Sequence, residues 1–297
     1  MTSTDWPALR FRDWEATCDT VHMWTQIVGK TRMVLSPAEN HWWHVPLYVT
    51  PVGLTTSPIP YGAGTFDVEF DFVTHNLRIR TSWGGRHGIP LYPRAVADFY
   101  AEYFACLRAL GIQVEIHTVP DEFDDTTPYD QDRRHDSYDQ ASVESFRRIL
   151  IGCDRVLKKF KGGFLGKSSP VHFFWGSFDL AVTRFCGRPA PPRPGADKVT
   201  AEAYSHEEIS CGFWPGDRRY PHAAFYAYAS PSPAGYEKQA VRPPGAYWDS
   251  AMGEFLLRYD EVRCAESPEE AILEFCQSTY ESAATLANWD LKALERR

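Results

Sequence analysis

The chain has 297 residues, of which 43% are hydrophobic and 14% aromatic, enough for one large core or two small ones. The formal net charge is −8 and the pI about 5.7, and the one basic cluster, residues 155–167 ("RVLKKFKGGFLGK"), has the spacing of a solvated helix face. A dedicated nucleic-acid binder carries a basic stripe, so nucleic acid is not an expected partner. The seven cysteines are scattered and form no C-x-x-C pair, and no run of 18 apolar residues or apolar leader occurs. A zinc ribbon, a secreted disulfide framework and a membrane partner are therefore not expected, and a cytoplasmic protein with reduced thiols is.

In chain order, Trp14, Cys18, Val21, Trp24, Ile27 and Val28 recur at helical spacing, with Gly29 expected as a C-cap and Lys30 following. "TRMVLSP" and "HWWHVPLYVT" read as strands. "FDVEFDFVTHNLRIRTSW" reads as a hairpin turning at "THN", with Phe66, Val68, Phe70 and Phe72 on one face and Asp67, Glu69 and Asp71 on a wet one. "PRAVADFYAEYFACLRALG" is a helix stopped by Gly111, and "IQVEIHTV" another strand. Residues 120–140 are acidic and poor in aliphatics; they read as an irregular, exposed connector and a site of early proteolysis.

The second half resembles the first. "SVESFRRILIGCDRVLKKF" is a helix, "SHEEISCGFW", "AAFYAYAS" and "GEFLLRYDEV" are strands, and "SPEEAILEFCQSTYESAATLANW" is a helix with Ser267 as N-cap. "QIVGK" before "HWWH" parallels "GFLGK" before "VHFFW", which would match Lys30 to Lys167 and His41 to His172. The expected class is α+β, with two pseudo-repeats of helix, antiparallel strands and helix packed as one unit. They would span residues 1–125 and 142–297, with 126–141 as the acidic connector. Two unrelated α+β halves are the alternative.

The richest stretch is residues 166–185, "GKSSPVHFFWGSFDLAVTRF". Read as one central strand, it puts His172, Phe174, Phe178, Leu180, Val182 and Arg184 on one face and Asp179 and Thr183 on the other. Arg184 would clamp a carboxylate or phosphate, with Asp179, Trp175, Trp214, Lys167 and Lys30 also ligand-binding. His172 or His206 would be the general acid or base, tuned by Glu207. A divalent metal held by His41, His172 and His206 is a competing use of the same residues. So is a purely structural Asp179–Arg184 pair. No dinucleotide, phosphate-loop, nucleophile-elbow or zinc-protease motif occurs.

"LYVTPVGLTT", "GKSSPVHFFWGSFDLAVTRFCGRPAP", "EAYSHEEISCGFWPG" and "FYAYASPSP" resemble the bacterial domain-of-unknown-function family 5996 over about Trp14 to Trp289. The resemblance implies a bacterial protein of one family-length unit and carries no activity, ligand or catalytic residue. Cys186 stands where the family pattern has Ser, which implies that a thiol there is not essential. The residues leave two functions open. One is an enzyme or enzyme-like small-molecule binder with a cleft built from 166–185 and 203–216. The other is a non-catalytic interaction module presenting an aromatic surface.

Overall fold

The structure, a computed structural model, describes residues 6–296. Helix α1 (Phe11–Leu35) is its spine, and every residue from Thr17 to Arg32 is buried. Apolar positions alone would not explain that. The polar residues of α1 are buried because they hold other segments by hydrogen bonds. Gly29 does not end the helix. It lies in mid-helix against the indole of Trp175, where a Cβ would overlap the ring. The expected strand "TRMVLSP" is thus the last turn of α1 and its exit.

The remaining elements are β1 (Tyr48–Val49), β2 (Gly53–Thr55), β3 (Ile59–Tyr61), β4 (Gly64–Asp71), β5 (Asn76–Thr81), β6 (Arg86–Pro90), α2 (Val96–Ala109), α3 (Gln140–Gly162), β7 (His172–Phe174), β8 (Asp179–Pro189), α4 (Lys198–Ala203), β9 (His206–Trp214), β10 (Ala224–Ser230), β11 (Tyr247–Asp249), β12 (Glu254–Arg258), α5 (Tyr259–Arg263), α6 (Pro268–Leu286) and α7 (Leu291–Leu294). Mixed helices and antiparallel sheets make this an α+β fold. The first sheet has the order β1-β2-β4-β5-β6, with β3 also on β4; the second has the order β11-β12-β10-β9-β8-β7. They meet at their edges, where Leu47 and Phe173 exchange two backbone hydrogen bonds of 2.9 Å.

In β4, Phe66, Val68, Phe70 and Phe72 are buried as the alternation requires. The other face is not wet throughout: Asp71 is buried and paired with Arg78 at 2.5 Å. Helices α3 and α6 cover one face of the second sheet. Phe173, Leu180, Val182, Phe213, Phe225 and Leu257 point into that layer and are at most 1% exposed. Each such side chain contributes roughly 1.5–3 kcal/mol by leaving water.

Three expected features differ. "HWWHV" forms a short 3-10 turn, with His41 and Trp42 at φ of 57° and 60°, instead of a strand. "IQVEIHTV" pairs with no sheet. Gly29-Lys30 is helical while Gly166 lies in a bend and Lys167 outside any helix or strand, so the two Gly-Lys pairs sit in different local structure.

Residues 120–139 contain neither helix nor strand but are anchored to α1. Gln26 accepts from Asp121 N at 2.8 Å and from the buried Tyr129 hydroxyl at 2.7 Å, and donates to Asp121 O at 2.8 Å. Lys30 donates to His117 O at 3.2 Å and Val119 O at 2.5 Å and pairs with Asp121 at 3.1 Å. Lys30 therefore anchors the backbone from His117 to Asp121.

Candidate functional site

The stretch 166–185 is a hairpin, not one strand. His172 pairs with Ala181, Phe173 with Leu180 and Phe174 with Asp179, so residues 175–178 make the turn. The turn changes the parity of the faces: His172 shares a face with the odd residues of β8, and Arg184 points the other way. Arg184 lies in the helix-covered layer, 1% exposed. Its guanidinium sits 3.5, 4.3 and 5.1 Å from the ring centres of Phe160, Tyr280 and Phe164, and it donates to Phe160 O. No acid pairs with it among the described residues. This placement puts Arg184 on the opposite face from Asp179, and no Asp179–Arg184 ion pair forms among the described residues.

His172 is fully buried, and its two nitrogens have no hydrogen-bond partner among the described residues. Phe174, Tyr48 and Trp43 meet its ring nearly edge-on at 5.3–5.7 Å. Burial, then the charges of Arg32 and Lys161, push its pKa down to about 3, so it is a neutral core histidine. Trp43 stands beside both His172 and His41, and no three metal-ligating side chains converge among the described residues, so the His41, His172, His206 set does not form. Glu207 faces away from the cleft. It binds Arg188 at 2.6 Å, Trp289 Nε1 at 3.2 Å and the Cys186 thiol at 3.5 Å. Trp175 fills the space over Gly29 and donates to Val45 O at 2.8 Å.

Asp179 does reach a site. The face of the second sheet opposite α3 and α6 is polar. Its cross-strand rows are Ala181, Gly212 and Tyr226; Thr183, Ser210 and Tyr228; and Phe185, Glu208 and Ser230. Asp179, Trp214 and Glu254 extend the same face by strand parity. Ser210, Gly212, Asp179 and Glu208 are its buried floor; Tyr226, Tyr228, Trp214 and Glu254 are half-buried.

At one end, Asp179 accepts from Ser177 Oγ at 2.6 Å and from the Tyr226 hydroxyl. Tyr226 reaches it by lying across Gly212, where a Cβ would overlap the phenol ring. Burial pushes the Asp179 carboxyl up to about 6, and these two donors only partly offset it. Two more carboxyls face the same group. Burial, then the charge of Asp179, then that of Asp249, pushes Glu254 up to about 7. Glu122, an exposed residue overall, lays its carboxyl over Gly176, with an oxygen 2.8 Å from where a Cβ would stand. Loss of water there, then Asp179, then Asp121, pushes it up to about 7. Helix α1 sets this meeting: His22 Nε2 donates to Trp175 O and Gly176 O at 2.9 Å each, and Gln26, one turn on, holds Asp121.

At the other end, Lys167 donates to His41 Nε2 at 2.7 Å, and His41 Nδ1 donates to Ala203 O at 2.9 Å. Burial holds His41 below its usual range, and Lys167 and His206 add to the effect. The His206 ring is 5.5 Å from that of His41. Burial pushes Glu208 up to about 8 against the pull of Arg193 and Lys167. Arg193 lies 3.7 Å over the Tyr204 ring and donates to Ser230 Oγ at 2.7 Å. The segments around this face carry four non-glycine residues in left-handed backbone: His41, Trp42, Glu122 and Phe178. Such strain concentrates where geometry serves a site.

Of the residues expected from sequence, the polar face and its edges carry Asp179, Trp214, Lys167, His41 and His206, while His172, Glu207, Arg184, Trp175 and Lys30 lie elsewhere. Sequence reading missed Tyr226, Tyr228, Glu208 and Glu254. The alternation in "AAFYAYAS" carried the signal for the tyrosines. Glu122 had none, because its position depends on α1.

Comparison with curated proteins and with solved structures finds no match. The model of a family of unknown function, DUF5996, matches residues 6–296, nearly the whole chain, and the protein belongs to that family.

Proposed function

We propose that the polar face of the second sheet is a cleft for a small polar molecule and that the protein is an enzyme transferring protons there. Asp179 is the base; Glu254 and Glu122, more weakly acidic, are the acids; Tyr226 orients Asp179. The observation that carries this reading is Asp179 itself. It is 6% exposed, has no cationic partner among the described residues, and its charge reaches two more carboxyls, Glu254 and Glu122. A fold gains nothing from crowding acids in this way, and carboxyls with pKa values pushed apart around neutrality suit acid–base chemistry. The aromatic-surface alternative is weakened by the burial of Phe173, Trp175 and Phe178, the rings that suggested it.

The test is a thermal-shift screen of monosaccharides, amino acids, keto acids and amines against wild type, Asp179→Asn and Tyr226→Phe. Compounds that raise the wild-type melting temperature and leave both variants unmoved are expected. If every stabilising compound acts equally on wild type and Asp179→Asn, the cleft reading fails.

A further inference from the structure

The Lys167 end of the cleft has chemistry of its own. Lys167 has an imidazole nitrogen as its close partner, at 2.7 Å, and no carboxylate within ion-pair distance among the described residues. Its Nζ lies over Phe185 at 5.0 Å and Trp43 at 5.1 Å. Glu208, the cross-strand partner of Phe185, is 5% exposed and has neither a hydrogen bond nor an ion pair among the described residues. An unpartnered buried carboxyl is costly. The amine and the acid feel each other's charge without forming an ion pair among the described residues.

We propose that Lys167 is a nucleophilic amine that condenses with the carbonyl of a small aldehyde or ketone, with His41 as proton acceptor and Glu208 as proton donor. This rests on the cleft reading and names its substrate class. The Lys167 lone pair attacks the carbonyl carbon, the C–N bond forms, and the π electrons move to oxygen. One amine proton passes to His41 Nε2, which the Nδ1–H bond to Ala203 O leaves free to accept, and from there to the alkoxide, giving the neutral carbinolamine. Glu208 then protonates the hydroxyl, the C–O bond breaks, and water departs, leaving the protonated imine beside the Glu208 carboxylate. The carbonyl compound, the amine and the Glu208 proton give iminium and water, with no change of oxidation state; solvent reprotonates Glu208. Glu208 stays protonated to about 8 and so is a donor at neutral pH; Lys167 is exposed, and partial loss of water around its amine lowers it against the pull of Glu208. The rings of Phe185 and Trp43 favour the cationic iminium form. A hollow of about 240 Å³, lined by Pro191, Pro192, Arg193, Tyr204 and Ser230, lies beyond Ser230, the cross-strand partner of Glu208.

The full chain is incubated with glyoxylate, pyruvate or propanal and sodium cyanoborohydride, and alkylation of each lysine is read by peptide mass mapping. Lys167 is expected to react roughly tenfold or more faster than exposed Lys158 and Lys238, and to lose that advantage in Glu208→Gln and His41→Gln with the other lysines unchanged. Trace labelling with acetic anhydride reads amine nucleophilicity without depending on which carbonyl fits, and circular dichroism confirms that each variant is folded. If Lys167 reacts at the rate of Lys158 and Lys238 with all reagents, the imine is overturned. If it does so while compounds still discriminate wild type from Asp179→Asn, the cleft stands without the imine; loss of both results removes both.

Discussion

Replacing Asp179 by Asn tests the cost of the cleft directly. The carboxyl is 6% exposed and its pKa is raised from 3.8 to about 6. Each tenfold change in proton affinity is worth about 1.4 kcal/mol, so the ionised group costs the fold roughly 3 kcal/mol. A raised folded-state pKa means that the native state binds the proton more tightly than the unfolded chain. The associated stability is present in full below 3.8 and is lost as the pH rises through about 6. Asn cannot ionise, so the variant should match wild type near pH 4 and exceed it increasingly up to pH 7. The amide can still accept from the Tyr226 hydroxyl. For a chain of this size the gain corresponds to roughly 5–10 °C in melting temperature at pH 7 to 8. Urea or thermal melts of both proteins at half-unit pH intervals provide the measurement. A variant less stable than wild type at every pH, or one whose difference does not change between pH 4 and 8, would refute the argument. Asp179 would then be a well-solvated structural acceptor.

Gly212→Ala should push the Tyr226 ring off Gly212 and break its bond to Asp179, so Tyr226→Phe and Gly212→Ala should weaken binding of any cleft compound alike; a crystal structure of Gly212→Ala with Tyr226 in place would contradict this. Arg184→Met keeps the stem and deletes an unpaired buried charge, so chemical denaturation should show a change below about 1.5 kcal/mol. Compound binding should persist in that variant; its loss at unchanged stability would return Arg184 to the site. Lys30→Met leaves the carbonyls of His117 and Val119 without their donor and should cost about 1–3 kcal/mol for each group stranded. Limited proteolysis should spare residues 120–140 in wild type and cut them early in that variant; equal cutting of both would mean that Lys30 does not anchor the segment.

What could be read from sequence follows from how local each determinant is. The helices α2, α3 and α6 carry their own periodicity and stop signals, and β4, β9, β10 and β12 their own alternation. Residues 31–37 misled because β-branched and apolar residues also complete the last turns of a helix, here Thr31 to Leu35. The site was half legible for a similar reason. Asp179 and Lys167 stood out as polar residues among rings, but assigning Arg184 to their face assumed one continuous strand. A four-residue turn reversed the assignment. Glu122 lies 57 positions before Asp179 and comes near it only through α1. No pattern within a window of the chain encodes such a meeting.

His22, Gln26 and Lys30 follow one another at four-residue intervals along α1, so their anchoring groups lie about 6 Å apart on one side of the rod. That side acts as a jig. It fixes the β7–β8 turn, the backbone of Asp121 and the run from His117 to Val119 against a common straightedge. The carboxyl group at Asp179 therefore draws on both ends of the gene. A fragment ending at residue 139 would carry Glu122, the jig and the first sheet, but not the second sheet that they serve. One beginning at residue 140 would have the sheet with an untethered turn and one acid fewer. Co-expressed, the two pieces would recover the proton chemistry only as far as they reassociate, so recovery of the acid group would measure their assembly.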